Sequence, residues 1–345
     1  MFTINGKFLT RDVNGQIRVA IETIKELDKI VPKNFIEIVA PESEFTLEGL
    51  NNIEIIRYGK GNAHIWEQLY LFYYAKKNNR ILINMFNTHP FFKPDIAYVH
   101  DTLFSAYPNL YKTFYGRFQK LYTLLMIKTS VLWAKNIITV SDFTKKEIKK
   151  YYCNCKKNIS VIYNGWQHMQ KIKEDDEIFK KFKSIEHRKY LLAASGLTPQ
   201  KNFKWVIENA KYNTDNMYVI VGAKEKSSQN ENNSLKNVIY TGRVTDGELK
   251  ALMKNCVAFI HPAIYEGFGM TPLEAVACGC EKLILANASC LPEIYMDSAF
   301  YIDPDNANIH IDEILKEYSN NTKKILNKYS WNEAAKKLYE ILLKI

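Results

Sequence analysis

Residues 261–279, HPAIYEGFGMTPLEAVACG, carry the most informative pattern in this chain. Two acidic residues, Glu266 and Glu274, flank a short loop that runs into a predicted helix. Gly267 and Gly269 let backbone N–H groups approach a ligand closely, because glycine has no Cβ. A loop of this kind predicts a binding site for a ligand that carries both hydroxyl and phosphate groups.

The helix after this loop has signals for its first turn. Thr271 is a favoured N-cap residue, and Pro272 suits the first helical position. Glu274 stands three residues after Thr271, which is the spacing of a capping box. The N–H groups at a helix start attract phosphate, since they lack intrahelical partners and carry partial positive charge. Capping alone would also explain Glu274, and Gly-x-Gly alone is a weak signal.

The whole string resembles the signature of the family 4 retaining glycosyltransferases, in which two glutamates are separated by seven residues in an EGFG…P-x-EA setting. Residues 266–275 carry that pattern. The resemblance implies that Glu266 contacts the sugar of a nucleotide diphosphate sugar and that Glu274 contacts the nucleotide ribose. The implied donor-binding residues between the two acids are Gly267, Phe268, Gly269, Met270 and Thr271.

Short apolar strands alternate with helical patterns along the chain, which predicts an α/β protein with parallel sheets. Two such series predict two doubly wound, Rossmann-like domains. The resemblance implies the GT-B fold, in which these domains face a central cleft. We expect an acceptor-side domain at 1–165 and a nucleotide-sugar-binding domain at 166–329. We expect the helix at 330–345 to cross back to the first domain.

Lys201 lies in the stretch SGLTPQKN, residues 195–202, between a predicted strand and a predicted helix. A lysine there can reach a diphosphate and stabilise the leaving group, although most lysines are simply solvated. The stretch resembles the family's G-R-L-x-x-x-K element, and this implies a catalytic role for Lys201. Gly196 stands where the family often has arginine, so we consider Arg243 and Arg18 as substitutes.

Two segments of the first half also resemble family elements. His100-Asp101 follows a predicted strand, where the resemblance places the histidine near the reacting end of the donor sugar. A histidine that merely ends a strand is the alternative. The loop Asp12-Val13-Asn14-Gly15-Gln16 resembles the family's glycine-containing loop beside the donor phosphate, with Gly15 as the residue of close approach. An ordinary helix-start turn would explain this loop equally well. We assign the other histidines, including His168 and His261, no role in the site.

Composition and sequence pattern argue against a membrane-spanning, secreted or zinc-binding protein. The chain has 345 residues, 47% hydrophobic residues and a net charge of +10. No apolar run approaches the roughly 20 residues of a membrane span, and the N-terminus lacks a signal-peptide pattern, so we expect a cytoplasmic protein. The six cysteines show no zinc-ligand spacing and are expected to be reduced thiols. We expect no metal cofactor, and we read Asp303-Pro304-Asp305 as a turn.

Residues 107–133 interleave aromatic and basic residues. Aromatic residues at helical spacing are more often part of the core, and that is the favoured interpretation. A helix that rests on the inner face of the cell membrane is the alternative, because family acceptors are often lipid-linked. Residues 112–157 hold eleven Lys or Arg and two acidic residues, so this part of the chain is strongly basic.

The resemblance favours a retaining glycosyltransferase of hexosyltransferase type that acts in bacterial surface polysaccharide synthesis. Its implied partners are a nucleotide diphosphate sugar and a glycan or lipid-linked acceptor. A nucleotide-sugar hydrolase or epimerase on the same fold is the first alternative. A basic nucleic-acid-binding protein is the second, but the sequence contains no recognisable nucleic-acid-binding module.

Overall fold

The computed structural model describes residues 1–10, 13–110, 112–153, 155, 157–196, 198–222, 235–318 and 321–345. The chain divides into two compact units. The first contains residues 1–165 together with 331–345, and the second contains residues 166–330. Each unit is built on a parallel sheet with helices, which confirms the predicted class of two doubly wound α/β domains.

The first unit contains strands β1 Phe2–Asn5, β2 Ile36–Ala40, β3 Glu54–Arg57, β4 Ile81–Asn84, β5 Ile96–Val99, β6 Asn136–Thr139 and β7 Ile159–Val161. Within the described residues they form one parallel sheet in the order β3-β2-β1-β4-β5-β6-β7. Every residue of β1, β2 and β5 is buried, because both faces of a parallel sheet are covered. The strand order reverses between β1 and β4.

The helices between β1 and β7 in the chain are α1 Gly15–Asp28, α2 Ala63–Trp66, α3 Phe72–Lys77, α4 Leu103–Ala106, α5 Phe114–Trp133 and α6 Asp142–Tyr151. A π-helical turn, Glu67–Leu71, joins α2 to α3. The side chain of Ser141 accepts a hydrogen bond from the backbone N–H of Thr144 at 3.1 Å and caps α6, and serine is a favoured N-cap residue.

The second unit contains strands β8 Tyr190–Ala194, β9 Met217–Val221, β10 Val238–Gly242, β11 Ala258–His261, β12 Leu283–Ala286 and β13 Phe300–Ile302. In the described residues these strands form a second parallel sheet, ordered β10-β9-β8-β11-β12-β13. The order reverses between β8 and β11, just as it does between β1 and β4. In sheets of this type, ligands bind outside the carboxyl ends of the strands at such a reversal.

The remaining helices are α7 His168–Lys171, α8 Glu177–Lys181, α9 Phe203–Tyr212, α10 Asp246–Asn255, α11 Met270–Ala277, α12 Leu291–Tyr295, α13 Ile311–Glu317 and α14 Trp331–Leu342. Thr245 and Glu248, which are three residues apart, form a capping box at the start of α10. The last helix, α14, packs against α1 of the first unit, where the rings of Tyr339 and Phe35 meet edge to face at 5.5 Å.

The core of the second unit fixes the loops at the carboxyl end of its sheet. Trp205 of α9 is fully buried, and burial of such a side chain contributes about 2–3 kcal/mol. Its indole N–H donates to the carbonyl oxygens of Asp303 and Asn306 at 3.1 and 2.9 Å. The loop after β13 is thereby fixed beside Asn202, whose side-chain amide donates to the Pro304 carbonyl at 2.9 Å.

Helix α5 corrects the prediction that the aromatic residues of 107–133 belong to the core. Phe114, Tyr115 and Phe118 are 89%, 76% and 64% exposed, and Leu121 is also exposed. The buried residues of the helix, such as Met126 and Ile127, belong mostly to its second half. Periodicity alone misled here, because the apolar residues near the start of the helix have no described neighbours to cover them. Tyr111 lies outside the described residues.

Among the helices of the described ranges, none has the length and apolar character that a membrane span requires.

Candidate functional site

Two loops meet where the strand order of the second sheet reverses. The loop after β8 contains Lys201 in a short 3₁₀ turn, and the loop after β11 contains Glu266. The backbone N–H of Ile264 donates to the Gln200 carbonyl at 2.9 Å, which ties the loops together. Asn202 strengthens the junction, since its side-chain amide also donates to the Pro262 carbonyl at 3.2 Å. The loops therefore hold their polar side chains in fixed relative positions.

Glu266 is the centre of this arrangement. Its Oε1 atom accepts hydrogen bonds from the Lys201 ammonium and, at 2.8 Å, from Nε2 of His261. The backbone N–H of Glu266 donates to Oγ of Ser289 at 3.1 Å. The Glu266 side chain is 14% exposed and that of His261 is 3% exposed, so the cluster is shielded but open on one side. Sequence reasoning predicted Lys201 and Glu266 as site residues but missed His261.

The surroundings of Glu266 and His261 determine their protonation states. Burial favours the neutral form of Glu266, but the Lys201 charge and the His261 hydrogen bond outweigh it and lower the Glu266 pKa to about 2. Burial also lowers the pKa of His261, although its bond to Glu266 acts in the opposite direction. At neutral pH the cluster thus contains a carboxylate, an ammonium and a neutral imidazole that donates its Nε2–H.

The loop between the two acids ends in Gly269, which is the N-cap of α11. Gly269 has φ of +76°, and a Cβ on it would come within 2.7 Å of Leu291 Cδ2. The hydroxyl of Tyr295 donates to the Gly269 carbonyl. Phe268 is buried, and its ring contacts Tyr329 edge to face at 5.4 Å. These contacts hold the loop in a conformation that only glycine adopts without strain.

The predicted helix start at Thr271 is wrong. Helix α11 begins at Met270, so Thr271 and Pro272 lie inside its first turn, and the N-cap Gly269 makes no side-chain bond. The left-handed conformation of Gly269 starts the helix two residues earlier than the Thr-Pro signal indicates. The predicted capping box between Thr271 and Glu274 is therefore also wrong. Thr271 and Met270 are half-buried at the start of the helix, next to the loop.

Glu274 instead pairs with His168, the first residue of α7. The distance from His168 Nε2 to Glu274 Oε1 is 3.0 Å, and their side chains are 3% and 13% exposed. The contact connects two helices that are far apart in sequence. Sequence reasoning gave His168 no role, because its spacing from Glu274 carries no local pattern. Each of the two glutamates thus accepts a hydrogen bond from a buried histidine.

The structure places the other predicted residues as follows. Gly267 is half-buried in the loop before Phe268, Gly196 is exposed after β8, and Arg243 is exposed after β10. A Cβ on Gly196 would meet no described atom within 4 Å, so the position tolerates a larger residue. Leu197, between Gly196 and the 3₁₀ turn, lies outside the described residues. The structure shows no arginine at the Lys201–Glu266 pair within the described part of this loop.

His100 belongs to the first unit and is buried at the end of β5. Its Nε2–H donates to the Met85 carbonyl at 2.9 Å, and its ring stacks on Tyr98 at 5.8 Å. Burial lowers the pKa of His100. The Asp101 carboxylate accepts from the Leu103 N–H at 3.0 Å and so caps a turn. His100 is therefore a neutral, fixed imidazole at the carboxyl edge of the first sheet.

Gly15 is the first residue of α1, which Asn14 caps by accepting a hydrogen bond from the Ile17 N–H at 3.1 Å. Arg18 follows in the first turn and is half-buried. Asp12, from the same predicted loop, lies outside the described residues. The contribution of Gly15 to donor binding stays a prediction. Within the described residues, no group of three or more His, Cys, Asp or Glu side chains is placed to hold a metal ion.

Comparison with known proteins gives a family match whose residues lie mostly in the second unit. Residues 174–338 match the family described as glycosyl transferases group 1. The O-antigen chain mannosyltransferase RfbU of Salmonella typhimurium is 30% identical over 236 residues, which cover 66% of this chain and 62% of that protein. The serotype-specific mannosyltransferase WbdA of Escherichia coli is 29% identical over 171 residues, which cover 47% of this chain and 20% of that protein. The matched part spans less than two thirds of these curated relatives.

Solved structures extend the similarity to the whole chain. Sucrose-phosphate synthase from Thermosynechococcus elongatus superposes with a TM-score of 0.76 at 13% identity, over 99% of this chain and 98% of that chain. HepE from Anabaena, solved in complex with UDP and glucose, superposes with a TM-score of 0.67 at 15% identity, over 100% of this chain and 99% of that chain. At such identities the similarity shows the fold alone, and it confirms the GT-B architecture.

Proposed function

Because the chain belongs to the glycosyl transferases group 1 family, we propose that it transfers a sugar from a nucleotide diphosphate sugar to a hydroxyl of a glycan or lipid-linked oligosaccharide. The relatives named as O-antigen mannosyltransferases support a place in bacterial surface polysaccharide synthesis and make a mannosyl donor the first one to test. Because HepE was solved in complex with UDP, a uridine diphosphate sugar is the second donor to test.

The observation that carries this proposal is the position of Glu266 between Lys201 and His261 at the strand-order reversal. A carboxylate with a pKa of about 2 stays ionised throughout the physiological range and accepts hydrogen bonds from sugar hydroxyls. The Lys201 ammonium, in contact with it, supplies the positive charge that a diphosphate requires. The two charges suit the two halves of a nucleotide diphosphate sugar.

In the proposed reaction, the bond between the anomeric carbon and the diphosphate oxygen breaks, and the diphosphate leaves with the electron pair. The acceptor oxygen forms the new bond on the same face, so that the anomeric configuration is retained. Its proton passes to the oxygen of the leaving phosphate. Lys201 stabilises the negative charge that develops on the diphosphate, and the N–H groups at the start of α11 support it. Glu266 orients the sugar.

Glu274 is proposed to bind the nucleotide ribose. Its carboxylate already accepts one hydrogen bond from His168, which leaves further lone pairs for ribose hydroxyls. The His168 contact fixes the direction of the carboxylate before the ligand arrives, so less conformational entropy is lost on binding.

We also propose that the exposed residues of α5 rest on the inner face of the membrane. Phe114, Phe118 and Leu121 are exposed, and Arg117 and Lys120 lie beside them in sequence. Apolar side chains flanked by cations fit an anionic lipid surface. A lipid-linked acceptor would bring the substrate to the same surface.

A thermal-shift screen of GDP-mannose, UDP-glucose, UDP-N-acetylglucosamine and their free diphosphates tests the donor, since a ligand that binds the folded state raises the unfolding temperature. The selected donor is then incubated with and without saccharide acceptors, and the product linkage is read by NMR. Retained configuration with acceptor-dependent turnover supports the proposal. Binding of none of the donors, or donor consumption that needs no acceptor, contradicts it, and the second result favours a hydrolase or epimerase.

A further inference from the structure

Two buried cysteines of the second unit are in contact, although 24 positions separate them in sequence. Cys256 precedes β11 and Cys280 precedes β12, and their sulfur atoms are 3.5 Å apart. Cys256 is 9% exposed and Cys280 is 1% exposed. All six cysteines of the chain are free thiols in the structure. The contact is therefore a dithiol, which is the chemical precursor of a disulfide.

The fold holds the two thiols together at the amino end of the second sheet. Strands β11 and β12 are parallel neighbours, and the Phe259 N–H donates to the Lys282 carbonyl at 2.9 Å where the two strands begin. The backbone N–H of Cys280 donates to the Ala275 carbonyl at 3.0 Å, which fixes Cys280 against the end of α11. Glu266 follows the opposite, carboxyl end of β11. The thiol pair is thus separate from the candidate donor site.

The two thiols differ in their readiness to ionise. The Cys256 thiol donates a hydrogen bond to the Cys280 sulfur, and this bond lowers the pKa of Cys280, although burial acts in the opposite direction. The same hydrogen bond, together with burial, raises the pKa of Cys256 well above its ordinary value. Because the thiolate is the nucleophilic form of cysteine, Cys280 is the group that attacks first and Cys256 the one that follows.

Two other buried cysteines show what burial alone does. Burial raises the pKa of Cys278 to about 12, and it raises the pKa of Cys290 well above its ordinary value. Both thiols therefore stay protonated at neutral pH and react weakly. Cys280 is buried to a similar degree, so its contact with the Cys256 thiol is what distinguishes it from these two.

A small oxidant has a short route to the pair. Asn255 and Val257, the chain neighbours of Cys256, line an open cavity of about 600 Å³ within the second unit. Cys256 is therefore next to the wall of this cavity. Hydrogen peroxide is small and uncharged, so a local opening of the wall is enough for it to reach the sulfur atoms.

We propose that Cys256 and Cys280 form an oxidation site, at which a peroxide converts the two thiols into an intramolecular disulfide. The Cys280 sulfur attacks one peroxide oxygen, the O–O bond breaks, and the second oxygen leaves with the electron pair and takes up the thiol proton as water. Cys280 is then a sulfenic acid. The Cys256 sulfur attacks the Cys280 sulfur, the S–O bond breaks, and the hydroxyl leaves with the Cys256 proton as a second water. The two sulfur atoms are oxidised and the peroxide is reduced.

The geometry allows this bond to form without a change of register in the sheet. A disulfide requires a sulfur–sulfur distance of about 2.05 Å, so the atoms must approach by about 1.5 Å. Cys256 and Cys280 both lie outside the strands, in the segments before β11 and β12. Rotation of the side chains and small shifts in these two segments supply the movement.

The disulfide would close a ring around the segment that carries the candidate donor site. Residues 257–279 lie inside the ring, and they include β11, Glu266 and Glu274. A cross-link stabilises a fold mainly by lowering the entropy of the unfolded chain. Oxidation should therefore make the second unit more resistant to heat. This effect requires no nucleotide, so the proposal goes beyond the proposed function and does not depend on it.

The test uses the full chain with Cys153→Ser and Cys155→Ser, which remove the exposed and the partly exposed thiol. This chain is treated with hydrogen peroxide, the remaining thiols are alkylated, and unfolding is followed with and without dithiothreitol. We expect oxidation to raise the unfolding temperature by about 5 to 10 °C and dithiothreitol to reverse the rise. Reversal excludes methionine sulfoxide and sulfinic acid as the cause, because dithiothreitol reduces neither.

Mass spectrometry identifies the bridge. Trypsin releases one peptide, Asn255 to Lys282, that contains both cysteines and Cys278. A second cleavage after Glu266 separates Cys256 from the other two cysteines, unless a disulfide holds the fragments together. We expect the fragments to stay joined after peroxide treatment and to separate after dithiothreitol.

Cys278→Ala is the matched control for Cys280→Ala, since Cys278 is a buried thiol two residues away. We expect the control to form the bridge and to gain the same thermal stability as its parent chain. Cys280→Ala should do neither. If Cys280→Ala fails to fold, Cys256→Ser gives the same comparison, because its hydroxyl still donates a hydrogen bond toward Cys280.

Three results would overturn the proposal. The first is a folded chain in which peroxide produces no cross-link between Cys256 and Cys280. The second is a bridge that requires Cys278. The third is a bridge between the proposed cysteines that leaves the unfolding temperature unchanged or lowers it.

Discussion

The imidazole Nε2 of His168 lies 3.0 Å from Oε1 of Glu274, although the residues are 106 positions apart in sequence. Both side chains are largely buried, and the contact joins the start of α7 to the interior of α11. A carboxylate only accepts hydrogen bonds, so the contact requires a proton on Nε2. His168 therefore fixes the orientation of a glutamate that the family resemblance assigns to the nucleotide.

This relationship predicts the effect of His168→Phe, which keeps an aromatic ring but removes the donor. We expect the nucleotide diphosphate sugar to bind about 5- to 30-fold more weakly, which corresponds to about 1–2 kcal/mol for one hydrogen bond to a charged group. The same variant should lose the preference for ribose over dideoxyribose nucleotides. Isothermal titration calorimetry with both nucleotides gives the two affinities.

His187→Asn is the matched control, because the His187 side chain is 93% exposed and makes no contact with the site. It should bind both nucleotides as the wild type does. If His168→Phe weakens both nucleotides equally and leaves the ribose preference intact, His168 supports the fold and does not orient Glu274.

Lys201→Met should lower kcat by a factor of about 100 to 1,000, the usual effect of removing one group that stabilises a developing negative charge. The affinity for the free nucleoside diphosphate should fall as well. Lys204→Met, three residues later on α9, is the control, since the Lys204 side chain is 83% exposed. Steady-state transfer assays with both variants give the comparison, and equal activity of the two would remove Lys201 from the mechanism.

The low pKa of Glu266 predicts a specific dependence of stability on pH. The pKa falls from 4.5 to about 2 in the folded state, so the ionised carboxylate adds stability above pH 4.5 that is lost as the pH falls through 2. Lys201→Met removes one of the two groups that lower the Glu266 pKa, so this pKa should rise in the variant. The stability difference between wild type and variant, at most about 3 kcal/mol, should therefore be largest above pH 4.5 and shrink toward pH 2.

Urea unfolding midpoints at several pH values measure this difference, and NMR of labelled glutamate side chains follows the Glu266 titration directly. A difference that stays constant with pH would mean that Lys201 and Glu266 do not interact electrostatically.

The sequence was sufficient for the strands and for contacts between near neighbours. Parallel strands are mostly apolar because both faces of their sheet are covered, so the alternation of apolar segments with helical patterns was enough to predict the two sheets. Capping at Ser141 and Thr245 was predictable from local sequence, since donor and acceptor are three residues apart in both caps.

The parts that the sequence did not reveal depend on contacts between distant segments. His168 and Glu67 carry no local pattern that identifies their partners, and Thr271 carries a capping signal that the left-handed Gly269 overrides. The exposure of Phe114 could not be predicted from the sequence either. Helical periodicity shows which residues share a face of the helix, but it does not show whether another element covers that face. The family resemblance predicted Glu266 and Lys201 as site residues, and only the structure showed that they form a pair.

The exposed surface of α5 predicts binding to anionic lipid. Vesicles that contain phosphatidylglycerol should bind the chain at low ionic strength and release it as salt is added, because charges near the surface are screened. Replacing Phe114 and Phe118 with serine should weaken binding by about tenfold or more, given the apolar area removed. Vesicle co-sedimentation measures both effects.

Leu343→Ser is the control, since Leu343 is exposed near the end of the chain and is not part of α5. Absence of binding at low salt, or binding that Phe114 and Phe118 do not affect, would contradict a membrane role for this helix.

Two glycine substitutions distinguish an effect on the stability of the fold from an effect on ligand binding. Gly269→Ala places a Cβ 2.7 Å from Leu291 in a left-handed conformation, and we expect about 2–4 kcal/mol of destabilisation together with loss of donor binding. Gly15→Ala should leave stability unchanged or raise it by up to about 1 kcal/mol, because its Cβ would meet no described atom within 4 Å at the start of α1. Thermal unfolding gives both values. Since the fold tolerates a methyl group at the start of α1, a loss of donor affinity in Gly15→Ala would mean that the ligand approaches this backbone closely, whereas unchanged affinity would remove Gly15 from the donor site.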